Sequence, residues 1–281
     1  MKLLQTVAET HSYILQLKQN GYQVGFVPTM GALHQGHMSL VKQARRENDL
    51  VICSIFVNPI QFNNPDDLAK YPRTPEADMA MLRDAGCDAV FAPSAREMYS
   101  EPDTTIYDFG MLDKVMEGRY RPGHFNGVAI VVRRLLEITL PDVAYFGEKD
   151  FQQLAIIRKM VEMLSLPVRV ISCPIVREPD GLALSSRNQR LLPEERAVAP
   201  LLYAALQKGA DHYTNFTPVK LQQMIVADIE KSPLFRVEYV EIVDIDTLMP
   251  ISSWTDSEHL IICLAAFLGH VRLIDNVVLQ R

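Results

Sequence analysis

The chain has little that would commit it to nucleic acid, to a membrane or to a disulfide framework. Its 281 residues carry 28 Lys and Arg against 34 Asp and Glu, a formal net charge of −6. With that balance and no Lys/Arg-rich block, the electrostatic footprint of a nucleic-acid binder is missing. A local cluster of cations could still hold a small anion. There are only four cysteines, Cys53, Cys87, Cys173 and Cys263, far apart and with no CxxC pair. Each lies in or beside an apolar stretch, so buried free thiols are expected. No window approaches the run of about 18 apolar residues that marks a transmembrane helix. The opening "MKLLQTVAETHSY" reaches polar residues too soon for a secretory signal. No repeat, low-complexity run or long Gly/Ser linker occurs. These absences lead to the expectation of a soluble, cytoplasmic protein.

What is present is an ordinary globular composition, 48% hydrophobic and 22% charged. The length suits one large domain, or a large one and a small one. "TVAE" at Thr6–Glu9 is a capping-box pattern, and the helix it opens ends near Gly21. "QVGFVP", "LVICSIFV", "CDAVFAP", "VAYFG" and "VRVISCP" are short apolar strands. Helical stretches alternate with them: "HMSLVKQARREN", "TPEADMAMLRDAG", "FNGVAIVVRRLLEIT" and "DFQQLAIIRKMVEMLSL". This alternation predicts an α/β fold, a doubly wound, Rossmann-like parallel sheet, over residues 1–178. The rhythm then changes. Two helices, "PEERAVAPLLYAALQKGA" and "TPVKLQQMIVADIEKS", precede three strands, "FRVEYVEIVDID", "HLIICLAAFLG" and "VRLIDNVVLQ". This predicts a second, smaller α+β domain over 179–281.

Five stretches could carry chemistry. "PTMGALHQGHMSL" follows a strand and enters a helix near His37. Ligands of doubly wound sheets bind at the carboxyl ends of strands, and a helix N-terminus suits phosphate. Gly31 and Gly36 permit tight turns. His34 and His37 could be metal ligands, acid–base groups, phosphate contacts or ordinary helix residues. A metal site would need a third ligand, and no HExxH is present. "FVNPIQF" brings Asn58 and Gln61 to the same sheet edge, where neutral amides can orient a hydroxyl or a carboxylate. "RYRPGHFNGV" is rich in donors, Arg119, Arg121, His124 and Asn126, and reads as a surface loop or a mobile cover over an anion. "YFGEKDFQQL" ends a strand at Gly147, with Lys149 as a compact cation, Asp150 at a helix start and Gln153 one turn further on. "VREPDGLALSSRNQRL" sets Ser185, Ser186 and Arg187 after a turn, a group able to embrace a triphosphate. Singly, each stretch also has an unremarkable reading as a turn or a surface element.

Taken in order, "PTMGALHQGHMSLV", "FVNPIQF", "DLAKYPRTPEAD", "RPGHFNGV", "GEKDFQQL" and "REPDGLALSSRN" resemble the signature segments of the pantoate–β-alanine ligase family along the whole chain. The first and last resemble that family's forms of the HIGH and KMSKS motifs of class I nucleotidyl-transferring enzymes. The resemblance implies an AMP-forming ligase of pantothenate biosynthesis that condenses (R)-pantoate with β-alanine through a pantoyl adenylate. ATP is consumed with Mg²⁺, and AMP and pyrophosphate are released. It implies that Met30, Gly31, Ala32, Leu33, His34, Gln35, Gly36 and His37 bind ATP, with His37 as proton donor and His34 and Lys149 beside it in catalysis. It extends the ATP set to Gly147, Glu148, Lys149 and Asp150, and to Val176, Leu184, Ser185, Ser186 and Arg187. Glu148 has no individual role, and Leu184 stands where the family often has Met. Gln61 and Gln153 would bind pantoate, and Gln61 also β-alanine. No protein metal ligand is assigned; Asp78 is a candidate for Mg²⁺, which ATP oxygens would mainly hold. The resemblance further implies a homodimer, with no nucleic-acid or membrane partner and the smaller domain acting as a lid. The rival readings are a nucleotidylyltransferase of the same fold, an aminoacyl-tRNA synthetase fragment and a non-catalytic nucleotide sensor.

Overall fold

The computed structural model describes residues 1–279. By compactness the chain divides into two units. The first comprises Met1–Phe109, Arg121–Glu148 and Gln153–Pro174; the second comprises Gly110–Tyr120, Lys149–Gln152 and the chain from Ile175 onward.

The first unit begins with a three-residue strand, β1 (Lys2–Leu4), and helix α1 (Val7–Gln19), whose N-cap Thr6 accepts from the Glu9 N–H. Strand β2 (Val24–Thr29), helix α2 (Gln35–Glu47) and strand β3 (Leu50–Ile55) follow. Next come the short α3 (Pro65–Ala69), then α4 (Pro75–Asp84), β4 (Ala89–Phe91) and α5 (Ala95–Met98). After α6 (Met116–Tyr120), which groups with the second unit, come α7 (His124–Thr139), β5 (Val143–Gly147), α8 (Phe151–Met163) and β6 (Arg169–Cys173). The six strands form one parallel sheet in the order β1-β4-β3-β2-β5-β6. The expected strands and helices are all present. The edge strand β1 and the short α3, α5 and α6 are additions, too brief to show periodicity in the sequence.

Strand alternation sends Val27, Val51, Cys53 and Val90 to one face of the sheet. There they form a core with Met38, Val41 and Ala44 of α2 and Leu82 of α4. Helix α7 packs against β2 and α1. The sheet is covered by helices, as its near-continuous apolar strands require.

The order reverses at β2: the chain runs outward from β2 to β3 and β4, then returns to β2's other side as β5. Pairing of β2 with β5 extends only to Gly25↔Val143 and Phe26↔Ala144. The cause is in the sequence. Along β2, Gln23 and Thr29 bond toward β3, whereas Val24 accepts from Asp142 at the start of β5. The next groups directed at β5 after Phe26 belong to Pro28, which has no N–H to donate. The ladder therefore stops before Pro28, at the switch point where sheets of this kind bind ligands.

The second unit contains α9 (Pro193–Val198), α10 (Leu201–His212), α11 (Pro218–Ile229) and the antiparallel sheet of β7 (Phe235–Asp244), β8 (Leu260–Leu268) and β9 (Val271–Leu279). The single helix expected over "PEERAVAPLLYAALQKGA" is two, because Pro200 cannot continue the hydrogen-bond ladder. Gln280, expected in the last strand, lies outside the described residues. Leu202 and Leu206 of α10 and Leu221, Ile225 and Ile229 of α11 pack on one face of this sheet. The two units together give the α/β architecture with a small α+β C-terminal part.

Candidate active site

The opening motif forms a tight loop between β2 and α2. Gly31 and Ala32 both have positive φ, 77° and 48°. Such a loop needs an external brace, and Asp78 of α4 supplies it. Its carboxylate accepts the Ala32 N–H at 2.9 Å, the Leu33 N–H at 2.8 Å and the Thr74 hydroxyl at 2.9 Å. Asp78 is 2% exposed. A Cβ on Gly31 would lie 3.0 Å from the Asp78 carboxylate, a tight contact added to a positive φ that disfavours side chains. Local sequence could not reveal this brace, because its partners lie 46 and 45 residues apart.

The helix begins earlier than His37. His34 is the N-cap of α2, and its Nδ1 accepts from the Gly36 N–H at 3.2 Å. His37 reaches back, its Nδ1 accepting the His34 N–H at 3.3 Å. This is a capping box built from two imidazoles. A main-chain N–H can only donate, so each Nδ1 presents a lone pair. The neutral ring then carries its proton on Nε2.

Gln61 ends a single 3₁₀ turn, Pro59–Gln61, after β3. Its Oε1 accepts from Asn58 Nδ2 at 3.0 Å, and its Nε2 contacts the Met30 sulfur at 3.3 Å. Asn58, 1% exposed, also donates to the Gly127 carbonyl at 3.2 Å and accepts the Tyr99 hydroxyl at 2.8 Å. Burial pushes the Tyr99 pKa well above its ordinary value, so it remains an O–H donor. With its carbonyl accepting from Asn58, the Gln61 NH₂ is the group whose chemistry suits carboxylate or hydroxyl oxygens. A sulfur is a weak acceptor that a ligand oxygen readily replaces.

The stretch "RPGHFNGV" is only in part a surface loop: Pro122 and Gly123 are exposed, and a helix starts at His124. His124 to Val128 are the first turn of α7, and His124, Phe125, Gly127 and Val128 are buried. His124 Nδ1 meets the Gln61 carbonyl at 2.8 Å. Asn126 accepts the Tyr107 N–H at 2.9 Å and donates to the Thr105 carbonyl at 2.9 Å. A Cβ on Gly127 would stand 2.6 Å from the Ile60 carbonyl oxygen. Of the donors in this stretch, His124 meets the turn that carries Gln61, and Asn126 holds the Thr105–Tyr107 segment. Gln153 lies in the first turn of α8.

In the second unit, Lys149 pairs with Asp150 at 3.2 Å in a 3₁₀ turn, Glu148–Asp150, that leads into α8. Val176 and Leu184 close a short hairpin, with Leu184 N–H donating to the Val176 carbonyl at 3.0 Å. Ser185 caps the 3₁₀ segment Ser186–Arg190 by accepting the Arg187 N–H at 3.3 Å. Two hydroxyl residues and a guanidinium thus follow one fixed hairpin.

Two other expectations resolve here. All four cysteines are free and buried. Burial pushes Cys87 up to about 12 and Cys173 to about 11, and raises Cys53 and Cys263 well above the ordinary value, so none is a thiolate nucleophile. Asp78 does not suit a metal, because both its oxygens already accept loop and threonine donors. Among the described residues, no group of three His, Cys, Asp or Glu could hold an ion. No described helix is long and apolar enough to cross a membrane.

Comparison with known proteins agrees with these motifs. The family model described as pantoate-beta-alanine ligase matches residues 2–278. A pantothenate synthetase of Porphyromonas gingivalis is 50% identical over 277 residues, 99% of each chain. A crystal structure of pantothenate synthetase from Thermus thermophilus superposes with a TM-score of 0.93 at 44% identity, covering 100% of both chains. A pantoate-beta-alanine ligase from Francisella tularensis, solved with a β,γ-ATP compound and β-alanine, gives 0.84 at 37% identity over 100% of this chain and 98% of that one. With its family model matched almost end to end, and its loop, helix cap and sheet edge formed by the same motifs, the chain belongs to the pantoate–β-alanine ligase family.

Proposed function

We propose that the motif residues of this chain carry out the family's condensation of pantoate with β-alanine in two steps, with ATP as the activating substrate. In the first, a pantoate carboxylate oxygen attacks the α-phosphorus of ATP. The bond from that phosphorus to the bridging oxygen breaks, and pyrophosphate leaves. In the second, the β-alanine amine attacks the acyl carbon, the acyl–oxygen bond to AMP breaks, and the nitrogen gives up a proton. Phosphoryl transfer of this kind asks the protein for positioning and charge stabilisation more than for covalent chemistry. The absence of a thiolate nucleophile is consistent with that demand.

The observation that carries this reading is the double-histidine cap at the carboxyl end of β2, at the switch point where the β2–β5 ladder ends. In this reading Met30 to His37 bind ATP, and the Nε2–H groups of His34 and His37 donate to phosphate oxygens at the N-terminus of α2. Gln61 and Gln153 hold pantoate, with the Gln61 NH₂ toward its oxygens, and Gln61 also lies by β-alanine. Gly147 ends β5 at the same sheet edge, and Glu148 opens the turn that follows it. In the second unit, Lys149, Asp150, Val176, Leu184, Ser185, Ser186 and Arg187 are assigned to the nucleotide, Lys149 to phosphate and Asp150 to ribose. The division of labour between residues 1–178 and a lid of 179–281 belongs to the same proposal.

Mg²⁺ would arrive on the phosphate oxygens of ATP, since Asp78 is committed to the loop; no step is assigned to protein ligands of the metal. A homodimer, on the strength of the resemblance, and a cytoplasmic location, on the strength of the composition, complete the reading. The mass of the assembly in solution tests the first.

The decisive experiment follows pyrophosphate and AMP with ATP and pantoate, then with β-alanine added. Pantoate alone should release pyrophosphate and leave AMP enzyme-bound as the adenylate; β-alanine should free it. Failure of pantoate to trigger pyrophosphate release at any ATP concentration would falsify the assignment.

A further inference from the structure

Strand β9 holds two adjacent polar residues that are nearly buried, Asp275 at 4% and Asn276 at 6% exposure. Neighbouring residues of a strand point to opposite faces of its sheet. Asp275 points to the face that packs on α10 and α11. There it receives the Arg177 guanidinium through two bonds, 2.6 Å to Oδ2 and 2.9 Å to Oδ1. Arg177 also donates to the Gly181 carbonyl at 3.1 Å and lies 3.6 Å over the Tyr203 ring. It is therefore held on several sides within the hairpin from Val176 to Leu184. Asn276 points to the opposite face, where its Nδ2 donates to the Lys149 carbonyl at 3.1 Å.

We infer that Asp275 and Asn276 are positioning residues for the adenylation step, one strand dipeptide fixing the Lys149 turn on one face and the hairpin leading to Ser185–Arg187 on the other. The inference rests on the assignment of those two segments to the nucleotide. Its physical content is simple. Lys149 and the Ser185–Arg187 group come from segments distant in sequence, and both must meet a single polyphosphate. Anchoring each by a charge-assisted or main-chain hydrogen bond to neighbouring residues of one paired strand sets their spacing to the precision of a sheet. Burying an aspartate and an asparagine beside an apolar core is costly for stability alone. Neither side chain is assigned a contact with substrate.

The test uses the full-length enzyme. Asn276→Ala removes the donor to the Lys149 carbonyl. The double variant Arg177→Met with Asp275→Leu removes the ion pair without leaving a buried charge. Each is checked for a wild-type melting temperature; Asn276→Ser replaces Asn276→Ala, and Arg177→Lys, which keeps the charge but loses the paired bonds, replaces the double variant, where either does not fold. Pantoate-dependent pyrophosphate release at varied ATP reports adenylation, and preformed pantoyl adenylate mixed with β-alanine reports the second step. The expected result is a loss of about three- to tenfold in kcat/KM for ATP in adenylation. KM for β-alanine and the second step should stay within about twofold. Folded variants with wild-type adenylation, or variants that lose both steps equally, would overturn the inference. A wild-type enzyme that releases no pyrophosphate would instead overturn the ligase assignment on which it stands.

Discussion

His34 and His37 stand against each other at the start of α2, ring centroids 4.0 Å apart, each turning its Nδ1 to a main-chain N–H. This makes them donors at Nε2 in the neutral state. A general acid would have to carry a second proton at Nδ1, against the N–H that faces it. His37→Ala should therefore slow adenylation by about 10²–10³-fold, the scale of a lost transition-state donor. Losing the cap should cost only about 1 kcal/mol of stability. His37→Gln, which restores an amide N–H, should recover part of the rate. If the rate instead falls as pH rises through a pKa that His37→Gln abolishes, His37 transfers a proton.

Asp78 is predicted to matter through the loop. Asparagine offers one acceptor oxygen where the carboxylate offers two, and its NH₂ would oppose a main-chain donor. Asp78→Asn should lose about 1–3 kcal/mol in denaturant unfolding. Adenylation should fall with it, even at saturating Mg²⁺. Wild-type stability in this variant would show that the loop holds its own shape.

Gly127 should set the affinity for pantoate. Its added Cβ would stand 2.6 Å from the Ile60 carbonyl oxygen and 2.9 Å from the Gln61 Cα, both main-chain atoms. Gly127→Ala must then move the turn that carries Gln61. The KM for pantoate should rise about tenfold or more, with KM for ATP little changed. An unaltered pantoate KM would remove Gln61 from the pantoate site or show that the turn yields without cost.

Acid stability should depend on Asp103. Hydrogen bonds from the Thr105 hydroxyl and N–H, with Arg133 and Arg134 nearby, hold its pKa below the ordinary 3.8. A carboxyl lowered on folding stabilises above its unfolded pKa, and that stabilisation is lost as pH falls through the folded value. Asp103→Asn should therefore melt below wild type at neutral pH, and the two melting curves should converge below about pH 4. A gap that persists unchanged at pH 3 would mean that the ionisation of Asp103 contributes nothing.

Much of this protein could be read without coordinates, and for local reasons. The β-branched runs of β2, β3 and β5, the Thr6 cap and the Pro28 that ends a ladder act through neighbours in the chain. The motif residues His34, His37, Gln61, Lys149 and Ser185–Arg187 stand at strand ends and turns, where punctuation by Gly and Pro marks them. The misreadings share one cause. "RPGHFNGV" is polar and turn-like in sequence, yet His124 and Asn126 spend their donors and acceptors on segments 63 and about 20 residues away. One helix became two at Pro200, and a helix start moved from His37 to a cap at His34, because ends are set by which hydrogen bonds are completed.

By itself, then, the sequence determined the order of elements, the covered parallel sheet and the identity of the residues offered for chemistry, since these follow from periodicity, propensity and motif. Only the tertiary structure decided how those residues are held: Asp78 beneath the loop, Asn58 behind Gln61, and Asp275 and Asn276 behind the second-unit segments. Each of those bonds joins residues remote along the chain. Their pairing is set by folding around buried polar groups that must find partners, and no local pattern announces which partner that will be.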